Sequence, residues 1–229
     1  LWTELVPRAG SDEIALVALD DQQRLIAAIW DGTQWTRPLL LATQVNSLRD
    51  FKAFDAAWES LSGDLLVVWG YSQFVEETRF ATLTRTTDTW TTGLFSSTDA
   101  LAMSLTLASD PSSDQIVAVF GEGLTDDDVG VSVWGGANWH DTVELTLTGL
   151  AQSRAMDIGW LGATGQAFAL YRDQALTGTF QWTRLNSGGW RRQSEVTLPG
   201  VGKMVQAKSR RIPGTNRVLV LLLDDAGAL

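Results

Sequence analysis

The 229-residue chain contains no cysteine, which excludes disulfides, thiolate zinc sites and a cysteine nucleophile together. Histidine occurs once, at His140, so a multi-histidine metal site is impossible and a Ser-His-Asp triad would have to use that residue. Lysine is confined to Lys52, Lys203 and Lys208, and 17 basic against 27 acidic side chains leave a formal charge of −10. No basic run exceeds two residues, so a phosphate-tracking surface, and with it nucleic-acid binding, is set aside. No apolar run approaches the roughly 18 residues of a membrane-spanning helix, and runs such as VLVLLL at 218–223 are of strand length. Convincing helical periodicity is missing as well. Residues 53–60, AFDAAWES, have helical propensity in isolation, but they belong to a repeat whose other copies read as strands. The five prolines fall at turns or strand ends, where a missing N–H is tolerated. Leu1 in place of an initiator methionine leads us to expect a mature or excised segment, with any signal or anchor outside it.

What the chain has in abundance is self-similarity. Ala18, Trp69, Phe120, Tyr171 and Leu222 follow one another at a spacing of 51, each inside one apolar strand: DEIALVALDD, SGDLLVVWG, DQIVAVF, GQAFALY and NRVLVLLL. A fixed period of this size signals a repeat architecture. Each full copy reads as four short strands joined by turns, the first alternating and the second nearly all apolar. That is the length and strand count of a propeller blade. The expected fold is all-β, a β-propeller or propeller-like arc in one domain over 1–229. Its copies fall at about 1–50, 51–101, 102–153 and 154–202, with a partial fifth at 203–229. The last copy carries only its first two strands, which leaves an edge open to pairing with the chain's own N-terminus, with another chain or with a second copy of this one.

Tryptophan, at 11 residues, is the second excess. Trp35, Trp90, Trp139 and Trp190 each open a fourth strand, and Trp58 and Trp160 share one place in the first strand. The turn-plus-Trp set is expected to pack blade on blade. Trp30, Trp134 and Trp182 lie in third strands, nearer the rim, and are the expected ligand-stacking residues.

The turn WDGTQW at 30–35, echoed as WGGANW at 134–139, resembles the blade motif of bacterial and fungal lectin-type propellers. It is also similar to the Asp-box hairpins of sialidase-like propellers, although no copy has the order Ser-x-Asp-x-Gly-x-x-Trp. The pairing of WDGxxW with SGDxLVVW most resembles repeats of large secreted or surface prokaryotic proteins. These likenesses imply a propeller and a non-enzymatic extracellular or cell-surface module, a scaffold or recognition element of an adhesin or filament. The alternative they imply is a carbohydrate-binding lectin; sialidase-like glycosidase chemistry comes last.

No catalytic or metal-binding set emerges, and no cofactor is expected. Arg211-Ile212-Pro213 is similar to the Arg-Ile-Pro motif of sialidases but sits between strands of the last copy, and neither Tyr71 nor Tyr171 comes with a convincing partner. The consecutive Asp126, Asp127 and Asp128 read as a solubilising loop tip rather than a calcium loop, whose ligands alternate. The connections YSQFVEE, GEGLTDDD and RDQALTG differ between copies, which argues against several identical glycan sites and leaves room for a single one. Expected partners are other protein chains or glycans, with no nucleic acid and no membrane insertion.

Overall fold

The computed structural model describes residues 2–45, 51–71, 77–95, 101–123, 128–146, 155–161, 165–172, 179–192, 195–212, 214–215 and 217–227. Among them every regular element is a strand. The first sheet is the antiparallel meander β1 (Trp2–Pro7), β2 (Ile14–Leu19), β3 (Leu25–Trp30) and β4 (Trp35–Ala42). The second is β5 (Phe54–Trp58), β6 (Leu65–Gly70), β7 (Thr78–Thr84) and β8 (Thr89–Leu94). The third runs through β9 (Leu101–Ser109), β10 (Ile116–Gly123), β11 (Val129–Trp134) and β12 (Trp139–Thr146). The fourth holds β13 (Met156–Trp160), β14 (Ala167–Tyr171), β15 (Thr179–Asn186) and β16 (Gly189–Arg192), and the short β17 (Val196–Thr197) pairs back onto β15. The fifth has two strands, β18 (Met204–Arg211) and β19 (Val218–Asp224).

The 51-residue spacing is preserved in the hydrogen-bond register. Trp69 lies opposite Phe54, Phe120 opposite Leu105, Tyr171 opposite Met156 and Leu222 opposite Ala207. The second strands β6, β10 and β14 are buried on both faces because one face meets the preceding sheet and the other meets the following one. Leu65, Val67 and Trp69 join the cluster shared with the first sheet, whereas Leu66 and Val68 join the cluster shared with the third. Val117 and Val119 continue the pattern against the fourth sheet. Five sheets stacked in this way, with neighbouring first strands touching in the series β1, β5, β9, β13 and β18, form a propeller arc.

Among the described residues the two ends of the series have a neighbour on one side only. Leu219 and Leu221 occupy the positions of Leu66, Val117 and Phe168 and of Val68, Val119 and Leu170, none more than 4% exposed, yet they are 53% and 55% exposed. At the other end, the Trp30–Trp35 pair (5.7 Å, interplanar 63°) reproduces the Trp134–Trp139 pair of the third sheet (5.5 Å, 60°). The latter is packed against Phe80 and Phe95 of the second sheet. Trp35, with no preceding sheet to meet, is 48% exposed, while Trp90, Trp139 and Trp190 pack against the inter-sheet cores.

First strands are stapled to one another across the sheets. Trp58 donates its indole N–H to the Val6 carbonyl and Trp160 donates to that of Ala108, both at 2.8 Å. The helical propensity of residues 53–60 is overridden here, since all of β5 is buried between two sheets. Glycine matters most at Gly70, where an added Cβ would stand 2.0 Å from the Ala102 carbonyl oxygen of the next sheet.

Candidate functional site

A cleft of about 550 Å³ lies between the first and second sheets. The outer end of β4, Leu40 to Thr43, forms one wall; Trp69, Tyr71, Arg79 and the stretch Thr92 to Leu94 form the other. The β6–β7 hairpin builds its polar centre. Register places Arg79 opposite Trp69, and beyond it the Tyr71 N–H donates to the Glu77 carbonyl at 2.8 Å. This brings the Arg79 guanidinium over the Tyr71 ring at 4.2 Å, a cation–π contact. Arg79 Nε and Nη2 both donate to Glu77 Oε2, at 2.9 and 2.7 Å, so Oε1 carries neither bond. The Arg79 and Glu77 side chains keep 39% and 33% exposure, which leaves this fork presented to solvent. Trp69 is buried, and its indole N–H finds no acceptor among the described residues. An aromatic ring, a guanidinium fixed by Glu77 and two threonines, Thr43 and Thr92, therefore line one cleft of ligand size.

This constellation was not visible in sequence. Tyr71 has a partner after all, and Arg79 reaches it because the hairpin folds residues eight apart onto each other. Among the described residues the pair does not recur: the positions of Arg79 in the next two sheets, opposite Phe120 and Tyr171, hold Gly130 and Gln181. The intervening connection at 72–76, with most of GEGLTDDD and RDQALTG, lies outside the described residues.

The three tryptophans expected to stack on ligand are in different sheets and do not come together. Trp30 is half-buried beside Trp35. Trp134 is 2% exposed and donates its indole N–H to Glu59 Oε1 at 2.7 Å. Burial pushes the Glu59 carboxyl above the usual carboxylate range, against the lowering effect of its bonds from Ser62 and Trp134. Trp182 is half-buried but stands opposite Leu170, three residues before the position of Trp30 and Trp134, which Leu185 fills in this sheet. A shared place late in the third strand had hidden that difference in register.

His140 is exposed and pairs with Asp141 at 2.9 Å. Asp128 is 5% exposed at the start of β11, so it is no part of a solubilising tip; Thr125, Asp126 and Asp127 lie outside the described residues. Arg211 ends β18 and donates to the Thr215 carbonyl at 3.3 Å, while Pro213 is outside the described residues. No group of three or more potential metal ligands is found among the described residues.

No protein-family model and no curated protein matches the sequence. Solved structures do match in fold. The SapL1 lectin, in complex with α-methyl fucoside, is 17% identical with a TM-score of 0.60, over 97% of this chain and 72% of the lectin. The fungal Aleuria aurantia lectin, a six-bladed β-propeller with a described fucose recognition mode, is 13% identical with a TM-score of 0.59, over 98% of this chain and 72% of its own. The NanB sialidase of Streptococcus pneumoniae is 13% identical with a TM-score of 0.55, over 89% of this chain and 33% of the enzyme. The chain is thus a β-propeller arc similar in fold to lectin and sialidase propellers.

Proposed function

We propose that the chain is a carbohydrate-binding module and that the cleft between its first two sheets is the sugar site. The observation that carries this is the Tyr71–Arg79 pair lining a cleft of about 550 Å³, with Glu77 holding the guanidinium in place. A sugar offers alternating hydroxyls and an apolar C–H face. A guanidinium–carboxylate fork supplies fixed donors and acceptors to hydroxyls, and the aromatic wall receives the apolar face. The fold likeness to fucose-complexed lectins supports the same reading. It is a reading of binding without turnover, and it favours the lectin alternative over the scaffold role that the sequence put first. An extracellular or cell-surface location goes with it, testable by secretion of a tagged full-length protein.

The test is a glycan panel followed by titration calorimetry on the preferred sugar. Arg79→Ala removes a charge-assisted donor set and lowers affinity about ten- to a hundredfold. Absence of saturable binding across the panel, or equal affinity in Arg79→Ala and Tyr71→Ala, defeats the proposal.

A second reading, association between copies, rests on a separate observation. Among the described residues β19 pairs with β18 alone, and its exposed Leu219 and Leu221 stand at positions that other sheets bury. Antiparallel pairing of β19 with β19 of a second copy joins two two-stranded halves into one four-stranded sheet, the strand count of the complete blades. Light scattering over a concentration series should show a dimer that Leu221→Lys converts to monomer; a monomer at every concentration refutes it.

A further inference from the structure

The first strands of the five sheets place Glu4, Asp55, Thr106, Asp157 and Lys208 at one level, each 51 residues after the last. These residues line a cavity of about 250 Å³ between the first strands, together with Lys52, Arg210 and Arg211. A second cavity of about 240 Å³ shares Lys52, Thr106 and Lys208 with it, so the two adjoin. Its remaining walls are Trp2, Leu105, Met156, Ser104 and Gln206. The first strands therefore surround one charged chamber and one largely apolar chamber, with two lysines at the junction.

The charges in this space are unevenly matched. Lys52 sits between two carboxyls, bonded to Glu4 and, at 2.8 Å, to Asp55 Oδ1. Asp55 turns Oδ2 to the Leu107 N–H on the next first strand, and Asp157 does the same for the Ser209 N–H, taking the Ser209 hydroxyl as well. With Asp157 buried and committed in this way, Lys208 touches it only at 3.5 Å and keeps 50% of its side chain exposed. The four cations of the lining face three carboxyls. Burial and the neighbouring Asp55 push Glu4 up to about 8, against the lowering pull of Lys52, and the cations of the lining still outnumber its carboxyls. A cationic chamber in a chain of formal charge −10 is a local reversal of sign.

We propose that this paired cavity is a second binding site, separate from the inter-sheet cleft, for a small organic anion with a carboxylate head and an apolar body. The head pairs with the Lys208 ammonium at the junction, and the body fills the chamber of Trp2, Leu105 and Met156. Neither residue set touches Arg79 or Tyr71, so the site stands or falls independently of the sugar reading.

Titration calorimetry of the full chain with hexanoate, and with hexanamide as the uncharged control, tests it. Hexanoate should bind at one site per chain, and hexanamide at least tenfold more weakly. Lys208→Gln should lower hexanoate affinity about ten- to a hundredfold, the loss of one charge-assisted contact, with Lys208→Arg restoring most of it. Gln206→Trp, which fills the apolar chamber while leaving the charges, should abolish binding of hexanoate. No saturation by about 10 mM hexanoate, equal affinity for hexanamide, or indifference to both Lys208→Gln and Gln206→Trp overturns the proposal.

Discussion

Replacing Trp58 or Trp160 by phenylalanine should destabilise the protein by similar amounts, because the two residues repeat one geometry two copies apart. Each ring is 5% exposed and donates its indole N–H at 2.8 Å to a carbonyl on the preceding first strand. Phenylalanine removes the donor, leaves a part-buried carbonyl without that partner, and vacates the space of the five-membered ring. The hydrogen bond contributes about 1 kcal/mol, and the lost packing another 1–2 kcal/mol by analogy with buried large-to-small changes. The total, about 2–3 kcal/mol, corresponds to a melting temperature lower by about 4–12 °C in a chain of this size. Trp58→Phe should lie at the upper end, because the Arg8 guanidinium also stands over its ring at 5.9 Å. The assay is urea unfolding followed by far-UV circular dichroism, with Trp35→Phe as the control. That exposed residue should change stability by less than about 0.5 kcal/mol. Since the staples join different sheet pairs, the double variant should lose about the sum of the single losses. A loss below about 0.5 kcal/mol for either staple variant refutes the view that first strands are locked together through their tryptophans.

Glu4 gives a pH prediction whose sign follows from its raised value. Stability contributed by the neutral carboxyl is fully present below the ordinary value of 4.5 and is lost as pH rises through about 8. Chemical denaturation on both sides of that window should show the decline, and Glu4→Gln should flatten it. Gly70→Ala forces a Cβ onto the Ala102 carbonyl oxygen, backbone against backbone, and should cost about 3 kcal/mol, the upper end of overpacking; a melting temperature within error of the parent contradicts the close approach. Glu59→Ala strips the acceptor from the buried Trp134 indole and should cost about 1–3 kcal/mol in the same unfolding assay.

The period was legible because inter-sheet burial imposes one residue class at one register. Trp69, Phe120 and Tyr171 are all large, all nearly fully buried and all directed at the preceding sheet, so substitution among them keeps the packing. The unfinished fifth sheet was equally readable, since β18 and β19 have no third strand to pair with among the described residues. The sites were harder. Trp134 looks like Trp30 in sequence, and only the presence of the second sheet against one and not the other decides that it is buried. Trp182 fails for another reason: a place late in a third strand does not fix its register, which the ladder alone sets. The Tyr71–Arg79–Glu77 cluster left no composition signal, because it is made by a hairpin register in one sheet and by no repeated residue. The level of Glu4, Asp55, Thr106, Asp157 and Lys208 escaped notice for the opposite reason, since its spacing is regular but its chemistry alternates.

Each of the three large apolar clusters joins residues of consecutive sheets, and among the described residues none joins the first sheet to the last. The coupling is therefore one-dimensional, and the chain should behave energetically like a short row of domino tiles. Sheets at the two ends have one neighbour each and should open first, so amide hydrogens of β2 and β19 should exchange faster than those of β6 and β10. Cooperativity in such a row is a property of the interfaces. A ligand seated between the first two sheets would accordingly stiffen the weaker end of the row, raising protection in β2 and β3 well before it altered anything at β19.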